Sequence, residues 1–289
     1  MNRRDFLAAV ASPLAAAPGE RARPQLCIFS KHMAQFGYAE LGRTAKQMGF
    51  DGIDLTVRAK GHVLPERAAE DLPKAADAIR SNGLNLPMIT TGITSGQDPN
   101  ARAILGTASK LKVPYWKPGY LNYALNDIES GIEKARKSAA ELGALSREYG
   151  IAVGFHNHSG NYIGSAMWDT RWMIRDLDPK WVGYYFDPAH ATVEGGLAGW
   201  RISEAMALPR LKMVAVKDFY WEKAGGTWKP KWCPLGEGML NWTEVFKLLA
   251  AANFAGPISL HVEYDPKDEL AAIAKDLQFL KDQVTKAWA

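Results

Sequence analysis

The histidines of this 289-residue chain, with a few charged partners, stand at spacings that suit metal or proton chemistry. In His156-Asn157-His158 two imidazoles are two residues apart, so on a strand both face the same side. His261 and Glu263 repeat that spacing near the C-terminus, and Asp187-Pro188-Ala189-His190 sets a carboxylate just ahead of an imidazole. Neutral imidazoles offer nitrogen lone pairs and a carboxylate offers charge. Converging on one axis, His156, Asp187 and His261 would suit a single divalent ion: Mn, Fe, Co, Ni or Zn. Imidazoles and carboxylates are also the groups that carry protons once burial or a neighbour tunes them. His32 and His62 complete the six histidines.

Such residues act together only if the chain brings them together. After residue 24, short apolar runs alternate with helical patterns. Strands are expected at 26–30, 52–55, 86–90, 113–116, 151–156, 182–187, 211–217 and 257–263. Helices are expected near 38–48, 70–82, 101–110, 125–149, 168–177, 199–207, 241–252 and 267–286, with Gly49, Gly83 and Gly150 as stops. Near-continuous apolar strands between helices imply a parallel sheet covered by helices. Eight such units in one domain-sized chain make an α/β protein, a single (β/α)₈ TIM barrel, which needs about 250 residues. No Gly-x-Gly-x-x-Gly turn follows the first strand, which argues against a dinucleotide fold. A barrel of this kind builds its site at the C-terminal ends of its strands, and every histidine lies at or just past one.

Composition narrows the partners. Apolar residues are 47% and charged residues 23% of the chain, enough for a sizeable core. The net charge of +4 comes from 35 basic and 31 acidic residues scattered without a basic stripe, so no nucleic-acid partner is expected. Ten Trp and ten Tyr, many beside Gly, Pro or Asn, offer flat platforms for a small carbohydrate. Residues 1–20 read as a twin-arginine signal peptide: Arg3-Arg4 near the start, a short apolar run, then Ala15-Ala16-Ala17 for cleavage. The domain proper is then 21–289, periplasmic or exported, with no stable membrane insertion after signal cleavage. Cys27 in a strand and Cys233 in a loop are not expected to pair.

From about residue 25 to 285 the chain resembles the sugar phosphate isomerase/epimerase superfamily, the xylose isomerase-like TIM barrels. The resemblance rests on Gly49 to Leu55, Phe155-His156-Asn157-His158, Phe186-Asp187-Pro188-Ala189-His190, Val214 to Asp218, and Pro234-Leu235-Gly236-Glu237-Gly238. It implies one divalent ion held by Glu, Asp, His and Glu from four strands, with the Glu pair moving a proton beside a sugar carbonyl. Here the first Glu position holds His156, the His position Ala215 and the second Glu position His261; only the Asp, Asp187, remains. With the usual bases gone, Glu263, His158, His190 and Lys217 become the catalytic candidates. Asp54, Arg58, His62, Trp116, Lys117, Tyr162 and Trp221 are expected as substrate contacts. Dimers are common in the family, so a homodimer is one expected state.

Three functions remain in view. The leading expectation is an exported isomerase or epimerase working by metal-assisted proton transfer beside a carbonyl. A second is a lyase acting on 3-keto-glycosides by β-elimination, which begins with the same proton abstraction. A third is a non-catalytic sugar-binding protein on the same scaffold.

Overall fold

The computed structural model describes residues 22–289. The leader expected at 1–20 lies outside the described residues. Strands β1 (Leu26–Phe29), β2 (Gly52–Val57), β3 (Asn85–Thr91), β4 (Tyr115–Lys117), β5 (Ala152–His156), β6 (Val182–Phe186) and β7 (Leu211–Val216) run parallel in sequence order. An antiparallel hairpin of β8 (Asp218–Ala224) and β9 (Thr227–Cys233) follows, and β10 (Ile258–Leu260) closes the barrel between β7 and β1. Helices α1 (Tyr38–Met48), α2 (Ala68–Ser81), α3 (Ala101–Lys110), α4 (Ile128–Tyr149), α5 (Met167–Ile174), α6 (Pro188–Ala207), α7 (Trp242–Ala251) and α8 (Glu269–Ala287) form the outer layer. The expected TIM barrel is therefore present. No helix among the described residues is long and apolar enough to cross a membrane.

Strand alternation sorts the side chains into two cores. Ile53, Leu55, Phe155, Tyr184, Phe186, Val214 and Val216 join the large cluster between strands and helices. Met88, Tyr185, Met213 and Ala215 form a separate plug in the barrel lumen. The same alternation sends Trp116 outward, where its indole N–H donates to Ser146 Oγ on α4 at 2.9 Å. Its neighbour Lys117 faces the lumen mouth instead.

Three local readings change. Helix α6 begins at Pro188, eleven residues before the expected start, because Asp187 caps it and Pro188 suits its first turn. The helix bends at Gly196, whose φ of 65° and ψ of −163° only glycine adopts readily. The hairpin was not expected, although Gly225-Gly226 at its tip, with φ of 58° and 80°, is a tight-turn signal. Cys233 consequently ends strand β9 instead of lying in a loop; both cysteines are free and buried.

Glu204 on α6 is fully buried and neither carboxyl oxygen has a hydrogen-bond partner. Burial, then the charge of Glu244, pushes it up to about 9 from an ordinary 4.5. The folded protein thus keeps a proton that the unfolded chain releases above pH 4.5. Stability is expected to fall as pH rises from there to about 9, by about 3 kcal/mol at pH 7. Glu204→Gln should accordingly raise the melting temperature far more at pH 8 than at pH 5. Equal gains at both pH values would contradict a neutral buried acid.

Candidate active site

The mouth of the barrel opens into a small cavity of about 100 Å³, lined by Phe29, Thr90, Tyr120, Tyr185 and a set of charged and imidazole groups. Its acid–base side is carried by β5, β6, β7 and β10. His156 ends β5, Asp187 follows β6, Lys217 follows β7 and His261 follows β10. Asp187 is fully buried and fixed from both sides. Its backbone N–H donates to Asn157 Oδ1 at 2.8 Å, and Asn157 Nδ2 donates back to its carbonyl at 2.9 Å. Its Oδ1 accepts the backbone N–H of His190 at 3.0 Å, capping α6.

The other carboxylate oxygen organises the site. Asp187 Oδ2 lies 3.1 Å from Lys217 Nζ, 3.3 Å from His156 Nε2 and 3.8 Å from His190 Nε2. Burial pushes this carboxyl up, but Lys217, His190 and their hydrogen bonds outweigh it and hold it below its ordinary range. An ionised carboxylate only accepts, so His156 donates from Nε2 and accepts a hydrogen bond from the Tyr120 hydroxyl on Nδ1, at 2.7 Å. The result is one run: Tyr120 to His156 to Asp187 to Lys217. Burial, then the nearby lysines, holds His156 well below its usual value, so its imidazole is neutral. Burial also keeps Tyr120 protonated, well above the ordinary phenol range.

His158 lines the same cavity. Its Nδ1–H donates to the Ser159 carbonyl at 2.9 Å, which leaves Nε2 as an acceptor. Burial and then Lys217 lower it, so it is neutral too. Glu263 also faces the cavity but is held by Lys31 at 2.7 Å. Burial pushes Glu263 up, but Lys217 and Lys31 more than offset this and keep it ionised. His190 sits behind the cavity wall, with its ring 4.0 Å from His158 and 5.2 Å from Trp232. It positions its neighbours and does not line the cavity.

The expected metal ligands need correction. A divalent ion requires at least three converging donors. Among the described residues no group of three or more His, Cys, Asp or Glu is arranged to hold one. Lys217 occupies the Asp187 oxygen that His156 and His190 face. His261 turns instead to the Tyr185 hydroxyl at 3.0 Å and stacks on Phe29 at 4.5 Å. Ala215 offers no donor and packs in the lumen plug. The described residues therefore do not fit a resident Mn, Fe, Co, Ni or Zn ion on His156, Asp187 and His261. An ammonium supplies the positive charge there.

The expected substrate contacts divide. Arg58 and Lys117 line the cavity. Asp54 lies beneath it, accepting from Thr90, Ser259 and Tyr185, and burial pushes it up to about 6. His62 is tied by Thr56 and the Met33 carbonyl, and Trp116 faces α4; both are structural. Tyr162 stands at the rim, 5.1 Å from the Tyr120 ring. Trp221 is on the outer part of the hairpin; Trp232 is the hairpin aromatic that reaches the site, 4.9 Å from Lys217 Nζ. Sequence reasoning missed Tyr120, Tyr185 and Trp232. Only the Pro118-Gly119 pair directly after β4 marked a loop that carries Tyr120.

Residues 43–283 match the xylose isomerase-like TIM barrel family. An inosose dehydratase of Bacillus velezensis is 26% identical over 149 residues, 48% of this chain and 47% of that protein. The chain thus spans about half the length of the curated relatives it matches. Among solved structures, the 3-keto-D-glucoside 4-epimerase of E. coli superposes with a TM-score of 0.71 at 16% identity, over 90% of this chain and 100% of that one. A xylose isomerase-like TIM barrel protein from Mycobacterium smegmatis, in complex with magnesium, gives 0.69 at 18% identity, over 92% and 98%.

Proposed function

Because the chain belongs to the xylose isomerase-like TIM barrel family, we propose that it moves a proton on the carbon beside the carbonyl of a small keto-sugar. The observation that carries this reading is the hydrogen-bonded run from Tyr120 through His156 and Asp187 to Lys217, opening on a cavity that His158 also lines. His158 Nε2 takes the C–H proton. The electron pair moves onto the carbonyl oxygen, and the enolate faces the Lys217 ammonium and the Tyr120 hydroxyl, whose hydrogen turns to it from His156 Nδ1. An ammonium already fixed by Asp187 beside that oxygen lowers the substrate's barrier to ionisation. Glu263, from the β10 side, is the second base available to an epimerisation.

Return of the proton to the other face gives an epimer; return to the former carbonyl carbon, with the neighbouring hydroxyl proton passing to the enolate oxygen, gives an isomer. Loss of a β-substituent from the same enolate gives elimination, with Tyr120 protonating the leaving oxygen. The resemblance to inosose dehydratases supports this second reading, since a dehydratase expels water. Export through the leader read at 1–20 belongs to the proposal and would place glycosides within reach.

The test is proton NMR in D₂O with ketoses, 3-keto-glycosides and inososes, followed for loss of the C–H signal beside the carbonyl. Exchange is expected, and it should persist in EDTA because Lys217 is part of the chain. Products then separate epimer from dehydrated ketone. Tight binding of these sugars with no exchange in any of them would favour a binding protein and sink the enzymatic reading.

A further inference from the structure

Four cationic side chains line the mouth cavity: Lys31, Arg58, Lys117 and Lys217. Two are answered, Lys31 by Glu263 at 2.7 Å and Lys217 by Asp187 at 3.1 Å. Among the described residues, no Asp or Glu comes within 4.0 Å of the charged end of Arg58 or Lys117. Lys117 is only 3% exposed, and its ammonium rests 3.5 Å from the centre of the Tyr120 ring. The Arg58 guanidinium lies 5.6 Å from the centre of the Phe29 ring. Asp54 acts on Lys117 from below, but its oxygens are engaged by Thr90, Tyr185 and Ser259.

A buried cation without a counter-ion is costly, and the chain responds accordingly. Burial, then Arg58, pushes Lys117 down to about 7, with Asp54 only partly offsetting them. An anion arriving between Arg58 and Lys117 would reverse that and recover charge-assisted hydrogen bonds. Position adds a second constraint. Arg58 follows β2 and Lys117 ends β4, whereas His156, His158, Asp187 and Lys217 stand at the ends of β5, β6 and β7. Both sets line one cavity at the open barrel mouth, so one small molecule can meet both.

We propose that Arg58 and Lys117 form a carboxylate-recognising subsite, so that the substrate of this cavity is a keto-sugar acid. The proposal rests on the proton-transfer reading for the reacting end of the molecule. A carboxylate suits the site better than a phosphate. Barrel phosphate sites use a free helix N-terminus beyond the last strands. Here the N-termini of α6, α7 and α8 are each taken by their own side chain: Asp187, Asn241 and Asp268.

Calorimetric titration of the wild-type chain, Arg58→Gln and Lys117→Gln tests this with 5-keto-D-gluconate, D-fructose and fructose 6-phosphate. The wild type is expected to bind the keto acid at least about 10-fold tighter than fructose, the scale of one charge-assisted hydrogen bond. Each variant should lose that preference while keeping fructose binding. Thermal melting checks that the variants fold, and Arg58→Gln, at a half-buried position, carries the test if Lys117→Gln does not. Equal binding of keto acid and fructose by the wild type would overturn the proposal. So would a preference that survives in the folded variants, or tighter binding of fructose 6-phosphate. Binding needs no turnover, so failure here leaves the deuterium-exchange result standing, and failure of exchange leaves the anion preference standing.

Discussion

Asp187→Ala is expected to destabilise the protein by about 3–5 kcal/mol and to abolish proton exchange, the range for stripping one partner from a buried ion pair. Asp187 and Lys217 are both almost completely buried and 3.1 Å apart. Without the carboxylate, the ammonium keeps the Trp232 face, 4.9 Å away, the neutral His156 and His190, and the more distant charge of Glu263, which is already paired with Lys31. His156 loses the acceptor that fixes its tautomer, so Tyr120 loses a defined partner as well. Urea unfolding measures the first effect and exchange in D₂O the second. The double variant Asp187→Ala with Lys217→Met removes both charges and should recover much of the lost stability, because an apolar pair carries no unpaired charge. It should recover no activity. If the single variant is as stable as the wild type, the pair is not the buried anchor its geometry implies.

The barrel was legible because its signals are periodic and local. Strand positions came from apolar runs, and Gly49 and Gly150 marked two helix ends that the structure keeps. The clustering of His156, His158, His190 and His261 followed from where the strands end, and their rings do gather. What failed needed three-dimensional information. Spacing gives which residues share a mouth, but not where an ammonium settles. Lys217 reaching Asp187 turned an expected ligand set into an ion pair. Trp116 and Lys117 are adjacent and were treated alike, although strand parity puts one under α4 and the other in the cavity. The hairpin was hidden because β8 and β9 are exposed at most positions and, apart from the short Phe219-Tyr220-Trp221 stretch, carry no apolar run to reveal them.

Tyr120→Phe is expected to slow turnover by about 10²–10⁴-fold, the usual contribution of a positioned acid or base, with little loss of stability. The substitution removes one hydroxyl. The ring stays, and with it the contacts to Lys117, His158 and Tyr162. His156 Nδ1 loses a donor at 2.7 Å, worth about 1 kcal/mol for an ordinary hydrogen bond. The rate effect should far exceed the stability effect, which a purely structural tyrosine would not produce. Deuterium exchange then tells which step the hydroxyl serves. If it steadies the enolate oxygen, exchange and product formation should fall together. If it only protonates a departing oxygen, exchange should continue near the wild-type rate while product formation collapses, because the carbanion would form and be reprotonated without expelling its substituent. An unchanged rate for both would mean that the run from Tyr120 through His156 to Asp187 is scaffolding, and that the proton leaves through His158 or Glu263 alone.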